Sequence, residues 1–272
     1  MAELFTAVRD HPLWQYRHAL LCVAFGCMLL EMIVLAWRFH SVYRPRLMLS
    51  TTAMWIVEQG GRLLTYPLRL TVFVLVAKSA STPPLALHGL TAFLLAYVCV
   101  DLLYYWKHRL LHTFDWTWAL HSVHHSSEEL NLMAAIRLGW LQRWLDDFFY
   151  LPLVLLGFDP TLVLLTVELN HASQFWCHTR CIGRLAWLDA MLNTPSNHRV
   201  HHARARAIAD HNYGSTLMCW DACFGTYLRE PSEHVQVFGV EDAAPSDNPL
   251  RIQLGPLQRY ARALLARSPR EH

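Results

Sequence analysis

At 272 residues with 54% hydrophobic and only 16% charged side chains, the chain is more apolar than an average soluble domain, in which about a quarter of residues are charged. That points to a membrane setting, and the formal charge of +2, from scattered rather than blocked basic residues, argues against nucleic-acid binding. Seven cysteines occur without a CxxC pair. Cys22, Cys27 and Cys99 lie inside apolar runs, where a thiol behaves as a small hydrophobe, so no disulfide framework is expected.

In chain order, Glu3, Arg9, Asp10, His11 and Pro12 precede any apolar run, unlike the opening of a signal peptide, so no removable targeting segment is expected. Residues 19–37, ALLCVAFGCMLLEMIVLAW, approach the roughly 20 residues a helix needs to cross a hydrocarbon core. Glu31 interrupts them, and an acid at that depth must be protonated, paired or turned inward; a packed helix contact is its expected role. In residues 47–77 the apolar run is broken by Glu58, Gly60, Gly61, Arg62, Pro67 and Arg69, which predicts a kinked or partly interfacial helix. Residues 78–84, KSASTPP, are a polar turn, and residues 85–106 are apolar enough to cross again. Between residues 148 and 176 two apolar runs flank Gly157-Phe158-Asp159-Pro160, a turn signal that predicts a membrane hairpin returning to its starting face. Basic residues crowd the segments that follow these runs (Lys107, Arg109, Arg137, Arg143, Arg199), whereas residues 78–84 hold one lysine, so those segments are expected to face the cytoplasm. From Pro231 the pattern fades into a Pro-, Asp- and Ser-containing stretch and a short basic amphipathic piece, read as a surface tail. No internal repeat is evident.

Ten of the seventeen histidines fall between residues 108 and 202. They group as His108 and His112, then His121, His124 and His125, then His171 and His178, and finally His198, His201 and His202. Residues three and four apart share a helix face, so each HxxxH or HxxHH group can aim its imidazoles at one point. One metal ion seldom takes more than four protein ligands, so eight or nine convergent histidines imply two ions. Solvated histidines at helix ends are the competing reading, and the regular spacing of three groups weighs against it. The groups follow apolar spans, so they can meet at one membrane face. His171 precedes His178 by seven residues, about 10.5 Å along a helix, and a packing or supporting role is expected for it. His11, His18, His40, His88 and His234 lack partners at ligand spacing; His211, between Asp210 and Asn212, suits a loop hydrogen bond.

These residues resemble the membrane-bound fatty acid hydroxylase and sterol desaturase superfamily. The resemblance covers roughly residues 101–227 and rests on four blocks: DLLYYWKHRLLH (101–112), WALHSVHHSSEELNLMAAIR (118–137), NTPSNHRVHH (193–202) and NYGSTLMCWDACFGTY (212–227). Within the superfamily the HHSSE block and the NTPS…HRVHH…NYG…WD…FGT run look most like the alkylglycerol monooxygenases and their bacterial relatives. The resemblance implies an all-α, multi-span membrane bundle with a cytosol-facing, histidine-rich helical cap that holds a dimetal site. It implies two iron ions that activate O2, with electrons from a separate donor protein or reductant, to hydroxylate or desaturate a lipid: a sterol, a fatty acyl chain or an alkyl ether. Carried across by position, the ligands are His108, His112, His121, His124, His125, His178, His198, His201 and His202. Two departures stand out: Thr113 follows His112 where those enzymes carry an acid, and no pterin site is recognisable. The chain then divides into N-terminal membrane helices (1–84), a hydroxylase-type catalytic domain with the hairpin and histidine motifs (85–230), and the tail (231–272).

A saturated hydrocarbon offers no acidic proton for side-chain chemistry, so the metals must carry the reaction and the protein supplies geometry and exclusion of water. Asp101, Glu128 and Asp221 are candidates to hold ligand N–H groups in the correct tautomer; the rival roles are pairing with Arg109 or helix capping for Asp101, capping the HxxHH helix for Glu128, and a loop hydrogen bond for Asp221. Ser196 or Asn197 is placed to cap the last histidine helix. Tyr104, Tyr105, Trp106, Trp116 and Trp118 suggest a membrane-interface belt. A zinc-dependent membrane hydrolase is one alternative, but no HExxH is present and zinc hydrolases usually include a carboxylate ligand. A metal transporter is another, although its ligands belong near the midplane of the spans rather than at their ends.

Overall fold

The computed structural model describes residues 17–39, 43–231, 237–241 and 245–267, and the regular structure among them is helical. Three helices are long and apolar enough to cross a membrane: α1 (Arg17–Phe39), α2 (Pro45–Ser79) and α3 (Gly89–Thr113). Large apolar side chains along α1 and α2, such as Leu29, Ile33, Trp37, Leu63 and Leu64, are exposed, as they are where lipid replaces protein as the packing partner. His11, His40 and His234 lie outside the described residues.

Residues 47–77, expected to form a kinked or partly interfacial helix, belong to a continuous 35-residue helix that contains Pro67. The polar residues do not interrupt it because they find partners on neighbouring elements. Glu58 lies 3.6 Å from Arg143, Arg69 pairs with Asp147, and Arg62 pairs with Glu168. Charges at membrane depth persist only when compensated in this way.

Beyond α3 come α4 (Asp115–His125), the short α5 (Leu132–Ala135) and α6 (Trp140–Leu145). A 3₁₀ turn (Asp146–Tyr150) then leads into α7 (Leu151–Leu155), which with α8 (Pro160–Ser173) forms the predicted hairpin. At its tip Gly157 has φ +94, and a Cβ there would meet the Pro83 carbonyl oxygen at 2.5 Å; only glycine suits both conditions. The Gly157 carbonyl accepts the Leu85 N–H at 2.9 Å, which ties the hairpin tip to the loop between α2 and α3. Asp159 caps α8 by accepting the Leu162 N–H at 2.9 Å, the usual role of Asp at that position. The hairpin packs on α2 and α3 through Phe73, Val100, Tyr150, Val154, Val163 and Val167, all fully buried or nearly so.

The remaining helices among the described residues are α9 (Leu188–Met191), α10 (Pro195–His201), α11 (Arg206–Ala209) and α12 (Cys219–Cys223), followed by α13 (Pro249–Arg267). The reading of residues 231–272 as a surface tail needs correction. Ile252 of α13 is buried against Met54 of α2 and Val123 of α4, and Gln253 accepts the Trp140 N–H and donates to the Leu138 carbonyl. The buried face of α13 is narrow, so its arginine-rich outer side dominated the sequence pattern.

Candidate metal centre

The first histidines of the site come from a candidate membrane span and the helix that follows it. α3 carries His108 and His112 in its last turns, and α4 follows after one residue, so His121, His124 and His125 face back onto them. α10 supplies His198 and His201, with His202 at its C-terminal boundary. Its start differs from expectation: Thr194, not Ser196 or Asn197, is the cap, and its side chain accepts the Asn197 N–H. Pro195 sets the helix start, since its missing N–H costs nothing there. This frees Ser196 to donate to Glu230 and Asn197 to donate to the Asp189 and Leu192 carbonyls. Arg199, between the histidines, makes a bidentate pair with the fully buried Glu230 at 2.6 and 2.8 Å, which fixes the rotation of α10.

His178 is positioned from two sides. Its Nδ1 faces the Gln174 carbonyl at 3.0 Å. The next residue, Thr179, donates to Glu31, which also accepts the Tyr43 hydroxyl and the Leu132 N–H. The acid in the first span is thus the packed contact expected of it, and it ties α1 to the segment that bears His178.

The nine histidines meet in two groups. His108, His112, His121, His125 and His201 place one ligand atom each within 4.8 Å of one another, and His124, His178, His198 and His202 do the same; all nine are buried. The groups adjoin, with the His125 and His202 rings stacked at 4.4 Å. α4 contributes to both, because His121 and His125 lie four apart on one face while His124 is rotated toward the other group.

Tautomers can be read from the outward nitrogens. Nδ1 of His108 faces the Tyr213 carbonyl at 2.9 Å, that of His124 the Arg137 carbonyl at 3.1 Å, and that of His201 the His211 carbonyl at 2.9 Å. Nδ1 of His121 faces Gln142 Oε1 at 3.1 Å and that of His112 faces Asp210 Oδ1 at 3.1 Å. Carbonyl and carboxylate oxygens accept, so these Nδ1 atoms carry the protons and the Nε2 lone pairs point inward. Inward Nε2 atoms then crowd together: His108 to His121 at 3.0 Å, His124 to His178 at 3.2 Å. Two bare lone pairs at that separation repel, and His201 Nε2 is buried with no hydrogen-bond partner. A cation between them removes both penalties, so the donor set fits metal.

Burial keeps the imidazoles neutral. It pushes His124 down to about 4 and His201 down to about 3; His121, His125, His178, His198 and His202 are also held well below the ordinary value by burial first and by neighbouring imidazoles second. Neutral imidazole is the ligating form.

The three candidate supporting carboxylates are placed otherwise. Asp101 accepts the Thr216 and Leu217 N–H groups, the Trp220 indole and the Asn170 amide, while Glu128 pairs with Arg44 at 3.3 Å. Asp221 accepts the Tyr213 and Gly214 N–H groups and the Thr226 hydroxyl, and burial pushes its carboxyl up to about 6. Asp221 therefore reaches the site only through the Tyr213 peptide that receives His108. Gly214 permits this grip, since a Cβ there would lie 2.9 Å from Asp221 Oδ2. The groups facing imidazoles directly, Asp210, Gln142 and four main-chain carbonyls, were missed. Backbone acceptors leave no trace in side-chain identity, and Asp210 lies 98 residues from His112. His211 does have its loop bond, from Nδ1 to the Ile208 carbonyl at 3.2 Å.

His171 joins neither group. It packs against Tyr104 at 5.9 Å, with its Nε2 3.5 Å from Lys107 Nζ. The aromatic belt is only partly as expected: Trp106 and Trp116 are exposed, but Tyr104 and Tyr105 are buried, bonded to Gln174 and Thr226. Trp118 lies against His112 at 4.9 Å and lines the site.

Removing the carboxylate beside His112, by Asp210→Asn, is expected to weaken metal retention about 10- to 100-fold while leaving the helices intact. Competition with a chelator followed by metal analysis measures this; unchanged retention contradicts a supporting role.

The fatty acid hydroxylase family model matches residues 93–226, which contain all nine of these histidines. Alkylglycerol monooxygenase from Homo sapiens is 42% identical over 158 residues, 58% of this chain and 35% of that protein. The Danio rerio alkylglycerol monooxygenase is 44% identical over 136 residues, covering 50% and 30%. Ornithine lipid hydroxylase OlsE from Rhizobium tropici is 30% identical over 132 residues, covering 47% and 39%. The chain thus matches only about a third of the length of these relatives. No solved structure matches it.

Proposed function

We propose, starting from the match of residues 93–226 to the fatty acid hydroxylase family, that the chain is a membrane-bound di-iron oxygenase that hydroxylates or desaturates a lipid with O2. The observation that supports this most is the convergence of nine buried histidines into two adjoining groups. His108, His112, His121, His125 and His201 would hold one ion, and His124, His178, His198 and His202 the other. Iron in such sites supplies the oxidising power that an unactivated C–H bond requires.

The chain's own residues supply the rest. The main-chain carbonyls of Arg137, Tyr213 and His211, with Asp210 and Gln142, hold the imidazole N–H groups outward, so the nitrogens that face inward need no reorganisation. Burial of all nine rings keeps bulk water from the site, which protects an oxidising centre from side reactions. Placement of His108 and His112 at the end of a candidate span lets a lipid approach laterally from the bilayer. The basic residues around the histidine segments support a cytoplasmic orientation for this face, where a separate electron donor would dock. The lipid in each relative's name, an alkylglycerol or an ornithine lipid, sets the class of substrate to try first.

Protein purified anaerobically is expected to contain two iron atoms per chain and to consume O2 when lipid and reductant are supplied, with an oxygen atom or a double bond gained by the lipid. Stoichiometric zinc with an activity indifferent to O2 would overturn the reading in favour of a hydrolase.

A further inference from the structure

Behind α4, on the side away from the imidazoles, a small cleft of about 40 Å³ is lined by Ser122 and Ser126 of α4, by residues 238–240 and 245–246, and by α13. Four arginines face it: Arg137, Arg204, Arg251 and Arg259. Among the described residues its one lining carboxylate, Glu128, is already paired with Arg44. Arg137 is 1% exposed, yet its guanidinium bonds neutral groups, Ser126 Oγ at 2.9 Å and Thr51 Oγ1 at 3.3 Å. Among the described residues no carboxylate lies within ion-pair distance of it; Asp247 acts on it from further away. A buried guanidinium without a counter-ion is costly unless an anion completes it.

The walls are built rather than incidental. Residues 237–238 are stitched to the chain just after His202, by the Arg204 N–H donating to the Val237 carbonyl at 2.9 Å and by a bridge between Ala203 and Phe238. α13 is anchored through Ile252 and Gln253. On its outer side Leu250, Leu254, Leu264 and Leu265 are exposed, beside the arginines that turn toward the cleft. That pattern is an amphipathic helix lying in a membrane interface, with arginines at headgroup level.

We propose that this cleft binds the phosphate of an anionic membrane lipid, with Arg137 at its base and Arg204, Arg251 and Arg259 around it. The bound phosphate would close α13 and residues 237–240 onto α4. It would also steady the Arg137 peptide whose carbonyl holds His124, so lipid binding supports the metal centre from behind. Guanidinium groups recognise phosphate by paired N–H donors.

The test uses the full chain in phosphatidylcholine nanodiscs containing phosphatidylglycerol, with retained lipid read by native mass spectrometry. Wild type is expected to retain phosphatidylglycerol, and the R251Q/R259Q double variant to lose about tenfold in retention. Both side chains are exposed, so the variant keeps its fold, and metal content of each sample is measured alongside. R262Q, on the same helix but outside the cleft, is expected to behave as wild type. Equal retention by wild type and the double variant, or equal loss in R262Q, overturns the proposal. Displacement of the lipid by millimolar inorganic phosphate would assign the cleft to a free phosphate and overturn its lipid source. Because lipid retention does not depend on turnover, it stands or falls separately from the oxygenase reading.

Discussion

Replacing His124 or His201 by alanine is expected to abolish O2-dependent turnover and to remove or weaken metal binding, while the membrane helices still insert. The two residues report on different groups: His124 belongs to the set of four and His201 to the set of five. In the smaller set a lost imidazole leaves three ligands, so His124→Ala is expected to lose its ion outright. In the larger set four imidazoles remain after His201→Ala, so the second ion is expected to be retained more weakly rather than not at all. Metal analysis after dialysis against chelator, with lipid turnover measured in parallel, separates the two cases. His171→Ala is the informative comparison, because its ring packs on Tyr104 outside both groups and its loss should be milder. Full metal and turnover in His124→Ala, or equal loss in His171→Ala, would show that the ligand set is drawn wrongly.

Acidification is expected to have the second largest effect. Burial lowers His124 from the ordinary value of 6.5 to about 4 and His201 to about 3. In the unfolded chain these imidazoles take up protons from about pH 6.5 downward, whereas in the folded protein they stay neutral until the pH is much lower. The unfolded state therefore binds more protons in that window, and folded stability is present above 6.5 and lost as the pH falls toward 4. For His124 alone the loss by pH 4 is about 3 kcal/mol. Metal release follows the same direction, since protons compete for the ligating nitrogens. Thermal unfolding and metal content recorded from pH 7.5 to 4 check this; full metal and an unchanged midpoint at pH 4 would contradict it.

The alternatives considered for the histidines differ in what they require of the structure. Solvated helix-end histidines need exposure, and these rings are buried. A transport site needs ligands near the midplane of the spans, whereas His108 and His112 occupy the last turns of α3 and the other candidate ligands lie outside the three candidate spans.

Local pattern was enough for much of this protein. Apolar runs of the right length marked the helices that can span a membrane, because the hydrocarbon core demands that length whatever the tertiary context. Gly157 and Pro160 marked the hairpin, since chain reversal there has strict backbone requirements. The spacing of His108 and His112, and of His121, His124 and His125, marked a shared helical face, because 3.6 residues per turn leaves little choice.

What no local pattern carries is which distant groups meet. The partition of the nine imidazoles into five and four depends on how α3, α4 and α10 pack, and His201 sits with His108 rather than with its neighbour His202. Acceptors such as the Tyr213, His211 and Arg137 carbonyls are invisible in a sequence, because every residue has a carbonyl. Glu58, Arg62 and Arg69 read as breaks in a span until Arg143, Asp147 and Glu168 arrive from the hairpin side to neutralise them. Sequence by itself therefore determined the helices, their span lengths and the residues able to ligate, all set by short-range periodicity. Only tertiary packing decided which ring shares which site and what fixes its tautomer, because those contacts join residues up to about a hundred positions apart.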